Sequence, residues 1–278
     1  MKKIISLLLL FSFMTFSIYT SVAATKSKKN TSINNSYINF ESFEKALSSF
    51  WCREMANNTY SGAISTKYAQ KSKHSFRIEL RKDDPIVCGS KRSEISTMKP
   101  EQPLEEHTYT FGVFLPKGGS EDFTNDPEGD DIIAQWHNTP DPGEEWTYPP
   151  VALHIQGDGH YYLWNIWDED PLSTDEKMQS EGKLAYYDLG SYLNDKGKWI
   201  TWKFHIKWGW LASQKPILEV YKNGVKLLDL QGLPNTTNDQ KGVYMKLGIY
   251  KWEWSQPADI DKSILTKRIV YYDNISIK

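Results

Sequence analysis

The stretch IIAQWHNT, residues 132–139, carries the pattern from which the fold is predicted. Side chains alternate along a β-strand, so Gln135 and His137 point to one face while Ala134 and Trp136 point to the other. An amide beside an imidazole is unusual in a core and is typical of a concave sheet face that binds a ligand. We therefore expect this face to meet a ligand and Trp136 to anchor the strand in the core.

Similar short alternating runs follow one another through most of the chain, separated by clusters of Gly, Pro, Asn and Asp. Asn223 and Gly224 form a hairpin turn signal between two of them. Helical periodicity is scarce: residues 43–52 are predicted to form one short helix and residues 172–179 another turn. No internal repeat is found. The pattern predicts an all-β antiparallel sandwich with these strands in chain order: SFRIEL, KRSEIS, HTYTFGVFLP, IIAQWH, VALHIQ, HYYLWNIW, KWITWKFHIKW, ILEVYKNGVKLLDL, VYMKLGIYKWEW and KRIVYYDNISIK.

The first 24 residues have the order of a secretory signal, with Lys2 and Lys3 before an apolar run and small residues up to Ala24. We predict that this segment, 1–24, is removed and that the protein is secreted or periplasmic. About 15 apolar residues is short for a membrane span, so no membrane association is expected after removal. Residues 25–36 are predicted to be a disordered polar lead-in, and residues 37–278 a single domain.

Charge and cysteine content limit the classes of partner. The chain has 33 Lys and Arg against 35 Asp and Glu, a formal net charge of −2, so no nucleic-acid partner is expected. Cys52 and Cys88 allow one disulfide in an exported protein. Two cysteines are too few for a structural zinc site unless histidines complete it. A monomer is expected.

Two further segments place polar side chains together on one strand face. In KRSEIS, Arg92 and Glu94 share a face. A lone Tyr on a strand is more often an ordinary half-buried side chain, but beside Arg92 and the QWH segment Tyr250 becomes a candidate site residue. In KLGIYKW the residues that share a face are Lys246, Gly248, Tyr250 and Trp252. Gly248 leaves room beside Tyr250.

The order of several segments resembles a known enzyme family. HSFRIELRKDD, KRSEIS, QWH, PPVAL, residues 198–208, EVYKNG, KLGIYKW and YYDNISI are similar to the heparin lyase I-like polysaccharide lyases, a group that also resembles glucuronan lyase. The resemblance covers roughly residues 75–278. The R-S-E, Q-x-H and K-x-G-x-Y motifs are also similar to those of the jelly-roll alginate lyases. The resemblance implies a β-jelly-roll with a concave substrate-binding sheet and an acidic polysaccharide as substrate.

The resemblance also implies residue roles, which the chemistry of β-elimination explains. Arg92 and Gln135 would neutralise the uronate carboxyl, because removal of the C5 proton builds charge next to it. His137 is the natural general base. Tyr250 would protonate the departing O4 oxygen, or act as both base and acid if base and leaving group lie on the same face of the sugar, which depends on the epimer at C5. Trp252 stands where the alginate enzymes usually have Gln, which argues against alginate.

The remaining candidates have more than one interpretation. Glu94 would orient Arg92, or form only an ion pair with it. Arg77 and Arg81 would extend a basic face for the substrate, or would simply be solvated. No cofactor is required, but a structural calcium is possible at Asp273 and Asn274 or in the acidic segment 121–131. The predicted substrate-binding residues are Arg77, Arg81, Glu94, Lys246, Trp252 and His154.

Two other classes compete with the lyase. A glycoside hydrolase needs two carboxylic groups at a fixed separation, and the E-x-D-x-x-E signature of jelly-roll glucanases is absent from the sequence. A non-catalytic carbohydrate-binding module would use stacking tryptophans, with Trp136, Trp164, Trp167, Trp252 and Trp254 as candidates. The prediction is a secreted lyase that acts on a heparin-, heparan sulfate- or glucuronan-type polymer and leaves unsaturated uronate ends.

Overall fold

The computed structural model describes residues 39–278, and nearly all of their regular structure is β-strand. One α-helix, α1 (Asp175–Ser180), and short 3-10 turns are the helical segments in this range. None of these helices is long and apolar enough to cross a membrane. The predicted signal segment 1–24 and lead-in 25–36 lie outside the described residues. The strands are β1 (Asn39–Glu41), β2 (Trp51–Met55), β3 (Gly62–Ser65), β4 (Ser75–Arg81), β5 (Arg92–Thr97), β6 (Glu106–Phe114), β7 (Asp130–His137), β8 (Val151–Gln156), β9 (His160–Ile166), β10 (Leu184–Ser191), β11 (Trp199–Lys207), β12 (Ile217–Lys222), β13 (Val225–Gln231), β14 (Tyr244–Tyr250) and β15 (Lys267–Ile277).

These strands form two antiparallel sheets, which confirms the predicted sandwich. The seven-stranded sheet, termed the site sheet, has the order β10-β9-β8-β7-β14-β5-β2. The eight-stranded sheet, termed the outer sheet, has the order β13-β12-β11-β6-β15-β4-β3, with β1 paired to β15. Strands distant in sequence lie side by side, since β14 pairs with both β5 and β7. This crossing connectivity brings the KRSEIS, KLGIYKW and QWH segments together.

Two local predictions are confirmed. Asn223 and Gly224 both have positive φ, 50° and 84°, the conformation that a two-residue hairpin turn between β12 and β13 needs. Helix α1 lies largely within the predicted turn at residues 172–179, and the Thr174 side chain caps it by accepting a hydrogen bond from the Lys177 amide.

The predicted helix over residues 43–52 is wrong. Phe43 has a φ of 58°, a left-handed conformation that does not start a right-handed helix. The Glu41 carboxylate accepts hydrogen bonds from the backbone amides of Phe43 and Ser48 and fixes this segment as a set of bends. Trp51 then begins β2, opposite Thr97 of β5. Pairing with the site sheet decides the conformation here.

Trp136 anchors β7 in the core between the sheets, as predicted. Its side chain is fully buried. The ring centroid lies 4.6 Å from that of Phe204 and 5.1 Å from that of Tyr109, both on the outer sheet. Because neighbouring residues of a strand point to opposite faces, this burial turns Gln135 and His137 away from the core.

A buried charge network lies at the end of β14, directly after Tyr250. Lys251 is fully buried, and its Nζ is 3.2 Å from Asp126 and 3.3 Å from Asp131. Arg268 lies 2.5 Å from the second oxygen of Asp131. Glu253, whose pKa is raised to about 7 mainly by burial, accepts a hydrogen bond from the backbone amide that opens β7. The network therefore ties the ends of β14 and β7 together.

Removing the central cation of this network should destabilise the fold. We expect Lys251→Met to lower the free energy of unfolding by about 3–5 kcal/mol, because two buried carboxylates lose a partner. Lys262→Met is the matched control: Lys262 is exposed and pairs with Asp259, so its loss should cost less than about 1 kcal/mol. Urea unfolding measures both. Equal stability of the two variants would contradict the structural role of the network.

Candidate active site

The four predicted catalytic residues meet in one cavity on the site sheet. Tyr250 of β14 pairs with Arg92 of β5, and its neighbour strand β7 carries Gln135 and His137. The cavity has a volume of about 400 Å³. The residues that line it are Arg92, Ile132, Gln135, His137, Thr147, Tyr148, Pro149, His154, Trp164, Tyr250, Trp252 and Gln256.

Glu94 joins the outer two of these three strands by reaching across the middle one. It lies on β5 opposite Gly248 of β14, and its carboxylate accepts a 2.6 Å hydrogen bond from the Gln135 amide on β7. A Cβ at residue 248 would lie 2.5 Å from the Glu94 Cα and 3.0 Å from its Cγ. Gly248 also has a φ of 154°, which side-chain-bearing residues rarely adopt. Glycine is therefore needed here so that Glu94 can pass, and not only to leave room beside Tyr250.

Arg92 is held as a fixed cation against Tyr250. Its Nη1 lies 3.2 Å from Glu54 and 3.4 Å from Glu94, and its guanidinium carbon is 4.7 Å from the Tyr250 ring centroid. Burial would lower the pKa of Arg92, but the nearby Glu94, Tyr250 and Glu54 outweigh it and raise that pKa. The guanidinium, although its side chain is largely buried, thus stays charged.

His137 is neutral at physiological pH. Burial, followed by the charges of Lys246 and Arg92, lowers its pKa to about 4. Its Nδ1 lies 3.1 Å from the Asn138 carbonyl oxygen. Since a carbonyl can only accept, the proton of the neutral ring sits on Nδ1 and the lone pair on Nε2. A neutral imidazole with a free Nε2 is the form that a general base requires.

The structure adds site residues that the sequence analysis missed. The Tyr244 ring stacks on His137 at 5.8 Å between centroids, and exposed Trp146 meets His137 edge-on at 5.4 Å. Tyr244 lies two residues before Lys246, so strand alternation could have identified it. Trp146 lies in an irregular loop and gives no periodic signal. The sequence does not indicate Glu54, because the helix predicted over residues 43–52 overlaps the start of β2.

The predicted substrate-binding residues separate into three groups. Trp252 and His154 line the cavity. Lys246 and Glu94 are buried and do not line it, with the Lys246 Nζ 2.7 Å from Glu54. Both therefore support the residues of the cavity wall. The Arg77–Arg81 pair forms the third group.

Arg77 and Arg81 are not brought to the cavity, which corrects the expected basic face. Both lie on β4 of the outer sheet, and both pair with buried Glu79. Arg77 also lies 3.2 Å from Glu121. Alternation assigns both arginines to one face of β4 but does not say which sheet that strand joins.

The calcium candidates Asp273 and Asn274 and the two cysteines do not line the cavity. Asp273 is on the outer sheet and accepts hydrogen bonds from the backbone amides of Gln70, at 2.8 Å, and Asn274, at 2.7 Å. A structural calcium at Asp273 and Asn274 stays a prediction. Cys52 and Cys88 are both free and exposed, so the possible disulfide is not formed in this structure.

The cavity lining decides between two kinds of carbohydrate chemistry. None of the described residues that line it is Asp or Glu. The acids that contact side chains of the lining residues are also engaged: Glu54 and Glu94 by Arg92, Lys246 and Gln135, and Asp130 by His154. A hydrolase needs one carboxyl as acid and a second as base or nucleophile. The lining instead offers an imidazole, a phenol, an amide and a guanidinium, which suits proton abstraction next to a carboxylate.

The fold and the cavity together define a jelly-roll β-sandwich with a polar site on the face of one sheet. The sequence matches the family model described as Polysaccharide lyase over residues 24–276. The chain belongs to this family and is a polysaccharide lyase. A comparison with curated proteins found no match.

Solved structures share this fold at low sequence identity. The endo-β-1,4-glucuronan lyase from the fungus Trichoderma reesei has a TM-score of 0.60 and 20% identity, over 83% of this chain and 95% of that chain. The endo-1,3-β-glucanase from Streptomyces sioyaensis has a TM-score of 0.53 and 12% identity, over 87% of this chain and 95% of that chain. The alginate lyase AlyC3 has a TM-score of 0.50 and 15% identity, over 80% of this chain and 78% of that chain. Since one of these is a glucanase, the fold alone does not fix the chemistry.

The low pKa of His137 gives a pH prediction. With a pKa of about 4, His137 stays unprotonated as pH falls from 7, so kcat/KM should hold until about pH 5 and then decline. Lys246→Met removes a cation that disfavours the imidazolium form of His137. The pKa of His137 should therefore rise, and the acidic limb of the pH profile should shift toward pH 6.5.

The matched control is Lys203→Met on the outer sheet, where Lys203 lies over Tyr221. Its pH profile should be that of the unmodified protein. An acidic limb in Lys246→Met at the same pH as in the control would contradict the proposed electrostatic effect on His137.

Proposed function

We propose that this lyase cleaves a uronic-acid polysaccharide by β-elimination in the cavity formed by Arg92, Gln135, His137 and Tyr250. The observation that carries the proposal is a neutral imidazole, with its lone pair on Nε2, in the same cavity as a fixed guanidinium. A uronate carboxyl would pair with Arg92, which cancels its charge and makes the C5 proton easier to remove. The Gln135 amide adds a polar contact beside it.

The elimination step is balanced by two proton transfers. His137 Nε2 takes the C5 proton, and the electrons of the C5–H bond form the C4=C5 double bond. The C4–O4 bond breaks, and the leaving O4 oxygen receives a proton from the Tyr250 hydroxyl. In glucuronate the C5 proton and O4 lie on the same face of the ring. His137 and Tyr250 line one cavity from adjacent strands, which suits approach from a single side.

The charge of the cavity favours an unsulfated substrate. Among the described residues that line it, Arg92 is the one with a permanent positive charge. Lys246 is not a lining residue and is paired with Glu54. One fixed cation matches one carboxylate, whereas densely sulfated heparin would call for more Lys and Arg. The proposed substrate is therefore glucuronan-like, which agrees with the substrate in the name of the Trichoderma reesei enzyme.

A substrate panel tests this proposal. Glucuronan, heparan sulfate, heparin and alginate are each incubated with the protein, and the ultraviolet absorbance of the conjugated product is followed. We expect the largest rise with glucuronan. Reducing ends that appear without this absorbance would indicate hydrolysis and contradict the lyase chemistry, and polymer binding without turnover would indicate a carbohydrate-binding module.

Substitution of the proton-transfer residues tests the mechanism. His137→Ala should lower kcat by about 10²–10⁴-fold, the usual effect of a general base, while the melting temperature changes little. Tyr250→Phe should lower kcat by a similar factor. His205→Ala is the control, since His205 lies on β11 of the outer sheet and its loss should leave kcat unchanged. Full activity of His137→Ala would show that Tyr250 alone acts as base and acid.

The proposed location is outside the cytoplasm, in agreement with an extended polymer as substrate. The signal sequence predicted at residues 1–24 supports it. N-terminal sequencing of protein recovered from the medium or periplasm should begin close to residue 25. Recovery of the chain with residues 1–24 still attached, in the cytoplasm, would contradict export.

A further inference from the structure

The wall of the cavity formed by β8 and β9 holds a second imidazole that the proposed elimination does not use. His154 on β8 is almost fully buried, with 1% of its surface exposed, and lines the cavity. Its ring stacks on Trp164 of β9, with centroids 4.3 Å apart and planes 18° apart. The two rings thus hold each other in place across two neighbouring strands.

Asp130 sets the hydrogen-bonding role of His154. The His154 Nδ1 lies 2.8 Å and 3.0 Å from the two carboxylate oxygens of Asp130. A carboxylate only accepts, so Nδ1 carries a proton, and in the neutral ring Nε2 is then an acceptor. Asp130 is therefore a positioning residue. Its own backbone amide is held by Glu253, which links it to the buried charge network.

The free polar atoms of this wall are one acceptor and one donor. The His154 Nε2 and the Trp164 Nε1 are both buried, and neither has a hydrogen-bond partner among the described residues. An unpaired buried polar group is unfavourable, so such a group calls for a partner. Tyr186 and Tyr148 pack edge-on against Trp164 and fix its ring.

A sugar hydroxyl has the matching chemistry, because it can donate to Nε2 and accept from Nε1. A sulfate or a second carboxylate does not fit, since both offer only acceptors and would face the lone pair of Nε2. The neighbouring strands of the site sheet are about 5 Å apart, which sets this wall to one side of the residues that hold the reacting uronate. A polymer crossing the strands would place its next sugar there.

We propose that His154 and Trp164 form a subsite for a free hydroxyl of the sugar next to the cleaved linkage, and that this subsite rejects O-sulfated sugars. The inference rests on the proposed function, which supplies the polymer and its position. It assigns substrate selectivity to β8 and β9, whereas the proton transfers belong to β7 and β14.

The test measures binding in the absence of turnover. The His137→Ala protein is titrated calorimetrically with two probes, a β-1,4-glucuronate tetrasaccharide and the same tetrasaccharide after chemical O-sulfation. The His137→Ala protein should bind the unsulfated probe more tightly than the sulfated probe. Adding His154→Phe keeps a ring against Trp164 but removes both nitrogens. We expect His154→Phe to weaken binding of the unsulfated probe about 5- to 10-fold, the effect of one neutral hydrogen bond. The difference in affinity between the two probes should become smaller.

His160→Phe is the matched control. The His160 Nδ1 also lies 3.0 Å from the two oxygens of an aspartate, Asp188, but His160 does not line the cavity. The control should bind both probes as the His137→Ala protein does. Trp164→Phe removes the Nε1 donor and keeps an aromatic ring, so it tests the same subsite if His154→Phe fails to fold. We expect it to cause a similar loss of affinity for the unsulfated probe.

Three results would overturn the subsite: unchanged binding of the unsulfated probe in the variants that fold, equal binding of the two probes by the His137→Ala protein, or binding of neither. Failure of the proposed function is distinguished by a separate reaction. If the unmodified protein forms no unsaturated product from either probe, the lyase assignment to uronates fails, while the binding titrations still decide whether the subsite exists.

Discussion

The hydrogen bond from Gln135 to Glu94 holds the site together, because it spans three strands that are far apart in sequence. Glu94 lies on β5 opposite Gly248 of β14, and its side chain extends across β14 to accept the hydrogen bond from Gln135 on β7. The close approach is open only to glycine, since a Cβ there would collide with the β5 backbone. With Glu94 fixed, Arg92 has a carboxylate to pair with on its own strand, and the cation, the amide and the phenol share one cavity.

Charge compensation explains how the site keeps a cation and a neutral base close together. Arg92 and Lys246 are matched by Glu54 and Glu94, so the buried cations are stable without a substrate. Burial is the main cause that lowers the pKa of His137 to about 4, and the charges of these two cations lower it further. The cations that prepare the site for a carboxylate therefore also help burial to keep the base unprotonated.

Strand alternation predicted much of the site from the sequence, and its failures have physical causes. It placed Gln135 and His137 on one face and Trp136 on the other, because burial of Trp136 against Phe204 fixes the strand. Alternation relates residues within a strand but does not assign the strand to a sheet, which is why Arg77 and Arg81 were grouped with the site. The Cα register of β14 on β5 and β7, and hence the path of Glu94 over Gly248, follows from tertiary pairing alone.

The protonation state of His137 is the central claim, because the proposed elimination starts from its free Nε2. Nitrogen-15 NMR of the imidazole side chains reports it directly, with the His137 signals assigned by their loss in His137→Ala. The structure predicts a neutral ring at pH 7, protonated on Nδ1, that titrates with a pKa of about 4. A ring protonated on Nε2 at pH 7, or a pKa at or above the ordinary value of about 6.5, would contradict the account.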